Sequence, residues 1–342
     1  MTELASRSRR RGLKTWSAFG DLGRRPSDYE IVTHHMNHTT RPGEQPLEMG
    51  PHVRGNVWLR THRDGMRLVV PDWDAFRDPD AVTYSTYVTA QDDQETYVEG
   101  LLERFDEAGH DEGLSDSALG LLRRVLAPSR FLAHGLQMLS SYVQQLAPSS
   151  YVGNCATFQT ADQLRRVQLA AYRTTQLRLT RGTEMTEPGE RWYWENDPAW
   201  QPIRKAVERA LLEFDWDRAF VVTNLVTKPL TDLITVERLG AQAEAVGAPL
   251  DALILQNLYL DCRRSRRWTF ALVSFLVAAD PGNRAVLQEH LDSFGELARG
   301  VLDAAGRLLE VSGGQPPQAI VDTVRSAWCD MLAPHGLTAP RG

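Results

Sequence analysis

A chain of 342 residues, 42% hydrophobic and 24% charged, is long enough for a large core in one domain or two and has an ordinary globular composition. Its net charge of −6 argues against a nucleic-acid partner, because no basic surplus is available to neutralise phosphates. Three scattered cysteines, Cys155, Cys262 and Cys329, with no C-x-x-C pair, argue against a disulfide framework or a structural zinc site and read as buried thiols in a reducing compartment.

Residues 1–80 read as a largely irregular arm. Arg7, Arg9, Arg10, Arg11 and Lys14 are followed by no apolar run, so no secretory signal is read. Proline and glycine punctuate residues 24–29 and 41–46, and a short hairpin is expected around Asp64-Gly65, flanked by Val57, Leu59, Leu68 and Val70. Trp16, Tyr29, Trp58 and Trp73 are large side chains in a segment with little self-packing, which makes them candidates for a subunit interface. The competing reading is that the arm packs on its own helical body. His34, His35 and His38 have no acids in spacing and read as surface or interface residues rather than a metal patch.

From Asp80 the pattern turns helical. Tyr87, Val88, Tyr97, Val98, Leu101, Leu102 and Phe105 form one apolar face ending near Gly109. A second helical region runs over 119–146, interrupted at Pro128 and stopped by Pro148; within it His134 and Gln137 read as a core polar pair. Ser149 or Ser150 caps a long helix through Phe158, Leu164, Val167 and Tyr172 towards Leu179. Residues 180–196 are a polar connector whose Trp192-Tyr193-Trp194, with Trp200 and Trp216, reads as helix-end packing rather than a ligand site. Asp197-Pro198 offers an N-cap and a first helical position for a helix to about Phe214. Further helices are expected over 219–246, kinked at Lys228-Pro229, over 251–278, from Asp280-Pro281-Gly282-Asn283 to about Val311, and near 319–331. The expected fold class is an all-α helical bundle: arm 1–80, bundle 81–312, C-terminal helix and tail 313–342. The longest apolar stretch, 268–279, is too short to span a bilayer, and the expected location is the cytoplasm.

Two helical stretches bear on chemistry. A carboxylate-bridged di-iron bundle takes a Glu from each of two helices and a Glu-x-x-His pair from each of two others. The only Glu-x-x-His spacing here, Glu107 and His110, lies at a helix end beside Gly109 and has no second copy. Instead, Asp162-Gln163-Leu164-Arg165-Arg166 has the shape of an Asp-Glu-x-Arg-His segment with Gln163 and Arg166 at the ligand positions, and Arg264-Ser265-Arg266-Arg267 that of Glu-Ser-Arg-His. An arginine cannot release its proton to become a ligand. A guanidinium ~5 Å from a divalent ion would repel it by roughly 6 kcal/mol at an effective dielectric of about 20. These arginines either pair with buried carboxylates, for which Asp162, Asp261, Glu95 and Glu99 are candidates, or face solvent or a partner, as is equally open for Arg263 and Arg266.

Over nearly its whole length the chain resembles the hydroxylase β subunit of bacterial multicomponent, soluble di-iron monooxygenases of the toluene/aromatic and alkene/isoprene branch. The resemblance rests on the two arginine segments, on residues 15–17, 25–32, 72–79 and 91–98, on Ala147-Pro148-Ser149-Ser150-Tyr151 and on Ser265-Arg266-Arg267-Trp268. It implies a ferritin-like, ribonucleotide-reductase-like bundle in which Gln163, Arg166, Val226, Arg264 and Arg267 stand at lost ligand positions. It further implies no catalytic, metal or cofactor-binding residue in this chain. The di-iron centre would lie in a partner α subunit, with a γ subunit, as (αβγ)2, and an effector protein, a Rieske ferredoxin and an NADH-dependent reductase would serve the complex. The substrate, aromatic or alkene, would be selected in α. Two other readings stand beside it: a divergent di-iron oxidase in its own right, and a stand-alone helical binding module.

Overall fold

The computed structural model describes residues 24–34, 54–310 and 315–340. Among the described residues the principal helices are, in chain order, α1 Asp28–Thr33, α2 Arg54–His62, α3 Tyr84–Glu107, α4 Asp116–Leu121, α5 Ser129–Gln145, α6 Ser150–Arg181, α7 Glu190–Asn196, α8 Gln201–Ala210, α9 Trp216–Ala245, α10 Pro249–Ala279, α11 Asn283–Ser293, α12 Gly295–Leu308 and α13 Pro317–Leu332. No strand occurs among the described residues, and the fold class is all-α.

Local chemistry sets most boundaries. The Thr83 hydroxyl accepts the Thr86 N–H at the start of α3, and Ser149 caps α6 by accepting from Val152. Gly182, at φ 55°, closes α6 with its N–H on the Arg178 carbonyl. The antiparallel pair α5–α6 and the long helices α9 and α10 form the bundle. Helix α8 crosses α5 so closely that a Cβ on Gly135 would stand 2.5 Å from a Val207 methyl. Helix α9 is long and apolar enough to cross a bilayer, but its apolar 18-residue stretch is entirely buried and it serves as the core helix of the fold.

Pro229 sits in mid-α9, where it removes one backbone donor and crowds the carbonyl four residues back, that of Leu225. The helix accommodates it with wide π-type turns over Val221–Thr227 and Leu233–Arg238 rather than by breaking. The Leu225 carbonyl accepts the indole N–H of Trp328, on α13, at 2.7 Å, so the group orphaned by proline is satisfied from the far end of the chain.

Three local expectations are corrected. The hairpin at Asp64-Gly65 is absent: residues 54–62 are helical, and Arg63 and Asp64 both donate to the Leu59 carbonyl, at 2.8 and 3.1 Å, as the helix ends. Asp197 does not cap α8. Its carboxylate accepts the Ala199 N–H in a turn, and the helix begins at Gln201 with Pro202 in its first turn and stops at Ala210. The segment from 283 is two helices, because the chain turns at Phe294.

Candidate functional site

Helix α6 carries a polar stripe through the middle of the protein. Gln159, Asp162, Gln163, Arg165, Arg166 and Arg173 recur at three- and four-residue steps, which places them on one side of the helix, and all are buried. All but Gln163 reach side chains of neighbouring elements. Gln159 donates to Ser140 on α5 at 2.9 Å and accepts from Asn224 on α9 at 3.0 Å; Asn224 also donates to Thr269 on α10. Arg165 pairs with Glu95 on α3 and with Asp261 on α10, the latter at 2.9 Å, and donates to Asn257 at 2.7 Å. Arg166 donates to Asp232 at 3.1 Å and to Thr235, both on α9. Lys228, one turn before Asp232, donates to its other oxygen at 2.5 Å. Further along, Arg173 binds Asp251 on α10 at 2.8 Å and Asp111 at 2.5 Å.

Around Asp162 the charges are closely balanced. Tyr87 donates to its Oδ1 at 3.0 Å, and Arg264 bridges Asp162 and Asp261. Burial raises the Asp162 carboxyl and the neighbouring Asp261 charge adds to this; Arg264 opposes both without cancelling them, and Asp162 titrates at about 7. Asp232 goes the other way. Burial alone would raise it, but Lys228 and Arg166 outweigh burial and hold it below the usual carboxylate range. Cys262, in the same interior, is pushed up to about 12 by burial, which makes it an inert thiol.

The Asp162 shift has a measurable consequence. Its folded-state value lies above that of an exposed aspartate, about 3.9, so the folded chain holds the proton more tightly than the unfolded one. The stabilisation is full below about pH 4 and is lost as pH rises through about 7. Asp162→Asn is therefore expected to flatten the decline of the urea midpoint between pH 5 and pH 8. Parallel pH profiles for parent and variant would contradict it.

A metal does not fit this interior. Among the described residues no three His, Cys, Asp or Glu side chains come together as a donor set. The carboxylates that do lie inside, Asp162, Asp232, Asp251 and Asp261, already hold arginine or lysine.

The structure sorts the residues singled out from sequence. Gln163, Arg166 and Val226 are buried, and Arg264 lies at the edge of the interior. Arg267 takes the outward of the two placements left open from sequence: its side chain is 46% exposed and pairs with Asp80, because the inward face of α10 passes through Asp261, Cys262, Ser265 and Trp268. Glu95 does pair with the interior, whereas Glu99 lines a surface groove. Arg263 is exposed, and Arg266 lies between Tyr259 and Glu237.

In the arm, Tyr29 follows the competing reading of packing on the chain's own helical body. It is buried on the chain's own body, its hydroxyl accepting the Asp78 N–H at 3.3 Å, with its ring 5.7 Å from that of Tyr151. Glu30 beside it is held well below the usual carboxylate range, chiefly by Arg24, and also binds Arg77, which lies over the Tyr151 ring. Trp73 packs against Trp216 and Phe275, also within the chain. Trp58 is 39% exposed, donates to the Tyr142 hydroxyl at 3.1 Å and packs on Phe214. Trp16, His35 and His38 lie outside the described residues. His134 is exposed rather than paired in the core, and Gln137 donates to Ser141.

Lys228, Asp232 and Arg173 escaped the sequence reading. Arg173 follows Arg166 by seven residues, two helical turns, so extending the period of the stripe would have found it. Asp232 and Lys228 lie four apart with no other charged residue between Arg218 and Glu237, and that spacing is itself a signal of a buried pair.

A profile of methane/phenol/alkene hydroxylases matches residues 57–280. The chain is 37% identical over 286 residues to the toluene-4-monooxygenase system hydroxylase component subunit beta of Ectopseudomonas mendocina, covering 84% of this chain and 87% of that one. It is 26% identical over 269 residues to phenol 2-monooxygenase oxygenase component DmpL of Pseudomonas sp. strain CF600, covering 78% of each. Among solved structures, toluene 4-monooxygenase with toluene bound in its resting active site superposes with a TM-score of 0.80 at 36% identity, over 87% of this chain and 98% of that chain. Xenon-pressurised phenol hydroxylase from Pseudomonas sp. OX1 gives a TM-score of 0.80 at 20% identity, over 99% and 98%, a likeness of fold alone.

Proposed function

From the premise that this chain belongs to the methane/phenol/alkene hydroxylase family and has its ferritin-like helical fold, we propose that it is the non-catalytic β subunit of a multicomponent monooxygenase hydroxylase. Its role is structural: it supports an iron-bearing α subunit that oxygenates an aromatic or alkene substrate with O2 and NADH-derived electrons. The complex is (αβγ)2, works in the cytoplasm, and is served by an effector protein, a Rieske ferredoxin and a reductase.

One observation carries the reading. The position that would accept a ligand on α6 holds Arg166, whose guanidinium is buried against Asp232 and Thr235 with Lys228 on the same carboxylate. Two cations on one buried carboxylate fill the interior with fixed charge and leave no free donor for iron. What the ion pairs contribute is rigidity of register. Helices α3, α9 and α10 are each tied to α6 by geometrically specific bonds, which suits a scaffold that must present a constant face to a partner.

The test is metal analysis of the purified chain alone, followed by reconstitution with the hydroxylase subunit carrying two Glu-x-x-His motifs. The expected result is iron well below stoichiometric in the isolated chain, no turnover, and recovery of activity on mixing. Stoichiometric iron in the isolated chain would overturn the proposal.

A further inference from the structure

Helix α3 is 24 residues long yet buries only Val98, Leu101 and Leu102. A helix ~36 Å long is normally held by an apolar stripe along most of its length, and so little burial leaves much of this one uncovered. Its sequence holds seven carboxylates against the single Arg104, a net −6, which equals the net charge of the entire chain. The acidity of this protein is thus concentrated on one element.

Helix α3 packs principally on α10, and between α3 and α6 runs a groove of about 480 Å³. Its floor is apolar, with Val98, Leu102 and Leu169, and its rim carries Glu99, Glu103 and Asp106. None of these three acids has a cation partner among the described residues. On α6, Tyr172 lines the groove and is 54% exposed, and Leu164 and Leu179, exposed at 45% and 83%, lie about two turns to either side of it. The three stand eight and seven residues apart, so they form one stripe along the helix. Exposed large apolar side chains beside an acidic rim are the kind of surface that marks an interface.

We infer that the α3–α6 groove is the seat of a helix from the partner hydroxylase subunit, one with apolar side chains flanked by arginine or lysine. This rests on the subunit reading above and names the surface and the chemistry of the contact. A helix is ~10–12 Å across and beds naturally between two others. A second copy of this chain is disfavoured because it would bring the same −6 helix against itself. The charge predicts fast, salt-sensitive association, since acidic rims steer cationic partners.

The partner subunit encoded with this chain is titrated with the parent, with Glu99→Lys/Glu103→Lys, with Tyr172→Ser and, as a control on a remote face, with Glu208→Lys. Kd is measured at 50 and 300 mM NaCl, and circular dichroism checks that each variant keeps its helicity. The expected result is a loss of at least tenfold in affinity for the double reversal and for Tyr172→Ser, a weaker salt dependence for the reversal, and no change for the control. A parent that binds, with both groove variants binding at unaltered affinity, overturns the docking site while leaving the subunit role standing. A parent that does not bind at all overturns the subunit role itself. Two other occupants are separately visible in the isolated chain. Concentration-dependent dimers abolished by the double reversal would give the groove to a second copy. A rise in amide exchange across α3 on deleting residues 1–23, which carry Arg7, Arg9, Arg10, Arg11 and Lys14, would give it to the chain's own N-terminus. Either overturns the inference.

Discussion

Arg173→Met is expected to lower the unfolding free energy by about 3–5 kcal/mol, the range found when one partner of a buried ion pair is removed. Arg173 is 2% exposed, and the Asp251 side chain it grips is fully inaccessible. The same guanidinium holds Asp111 with two bonds, of 2.5 and 2.7 Å, so one substitution strands two carboxylates. The Arg173 guanidinium is itself held above its ordinary value: burial opposes its charge, and Asp251 and Asp111 overcome that. Most of the cost arises from Asp251, which has no route to water, whereas Asp111 retains some exposure. Urea unfolding of Arg173→Met, Asp251→Asn and the double variant separates the terms. The double variant is expected to be clearly more stable than additivity predicts, because removing both charges removes the stranded one. A loss below about 1 kcal/mol in the single variant would mean that water reaches Asp251 after all.

Trp216→Ala is the second large effect, expected at about 3–5 kcal/mol for deletion of a fully buried aromatic. Trp216 stacks on Phe220 with ring centroids 5.5 Å apart and meets Trp73 edge-on at 5.6 Å. Its indole N–H donates to the Val143 carbonyl at 2.9 Å, so the side chain joins α9 to α5 and also supports residue 73. Trp216→Phe would keep most of the apolar area and lose the hydrogen bond, leaving a buried carbonyl unpaired for about 1–3 kcal/mol. Thermal melts order the three proteins parent, Phe, Ala. Limited proteolysis should show cleavage within residues 66–80 in the Ala variant before the bundle opens. If that segment stays protected, its anchor is the Asn283 bridge to both the N–H and the carbonyl of Val69, each at 2.8 Å, rather than Trp216.

Much of this architecture is legible in the sequence, and the failures have physical causes. The long helices announce themselves through 3.6-residue periodicity and through Ser149, Pro148 and Gly182 at their ends. Pro229 was legible as a disturbance, but not its outcome. The outcome is a pair of wide π-type turns with the Trp328 indole on the Leu225 carbonyl, a contact about a hundred residues away that no local pattern carries. Residues 57–70 look like a hairpin because apolar residues flank an Asp-Gly pair, yet α2 is polar enough to form a surface helix whose burial cannot be read from alternation.

In the candidate site, the two arginine-bearing segments were legible as charged and helical. The face on which each arginine falls was not, because a four-residue motif fixes spacing and not rotation about the helix axis. Hence Arg166 is inside and Arg267 outside, although both occupy the same place in their motifs. The arm shows the limit from the other side. Tyr29 and Trp73 look like interface residues only while their own partners, Tyr151, Phe275 and Trp216, are unseen.

The bond from Trp328 to the Leu225 carbonyl also orders events in time. A ribosome adding ~5–20 residues per second needs roughly 5–20 s to pass from residue 225 to residue 328. Through that interval the Leu225 carbonyl of α9, the core helix, lacks the indole donor that it has in the folded protein. The bundle around α5, α6 and α9 can therefore collapse early, but this tie between its central helix and α13 forms only once residue 328 has been made.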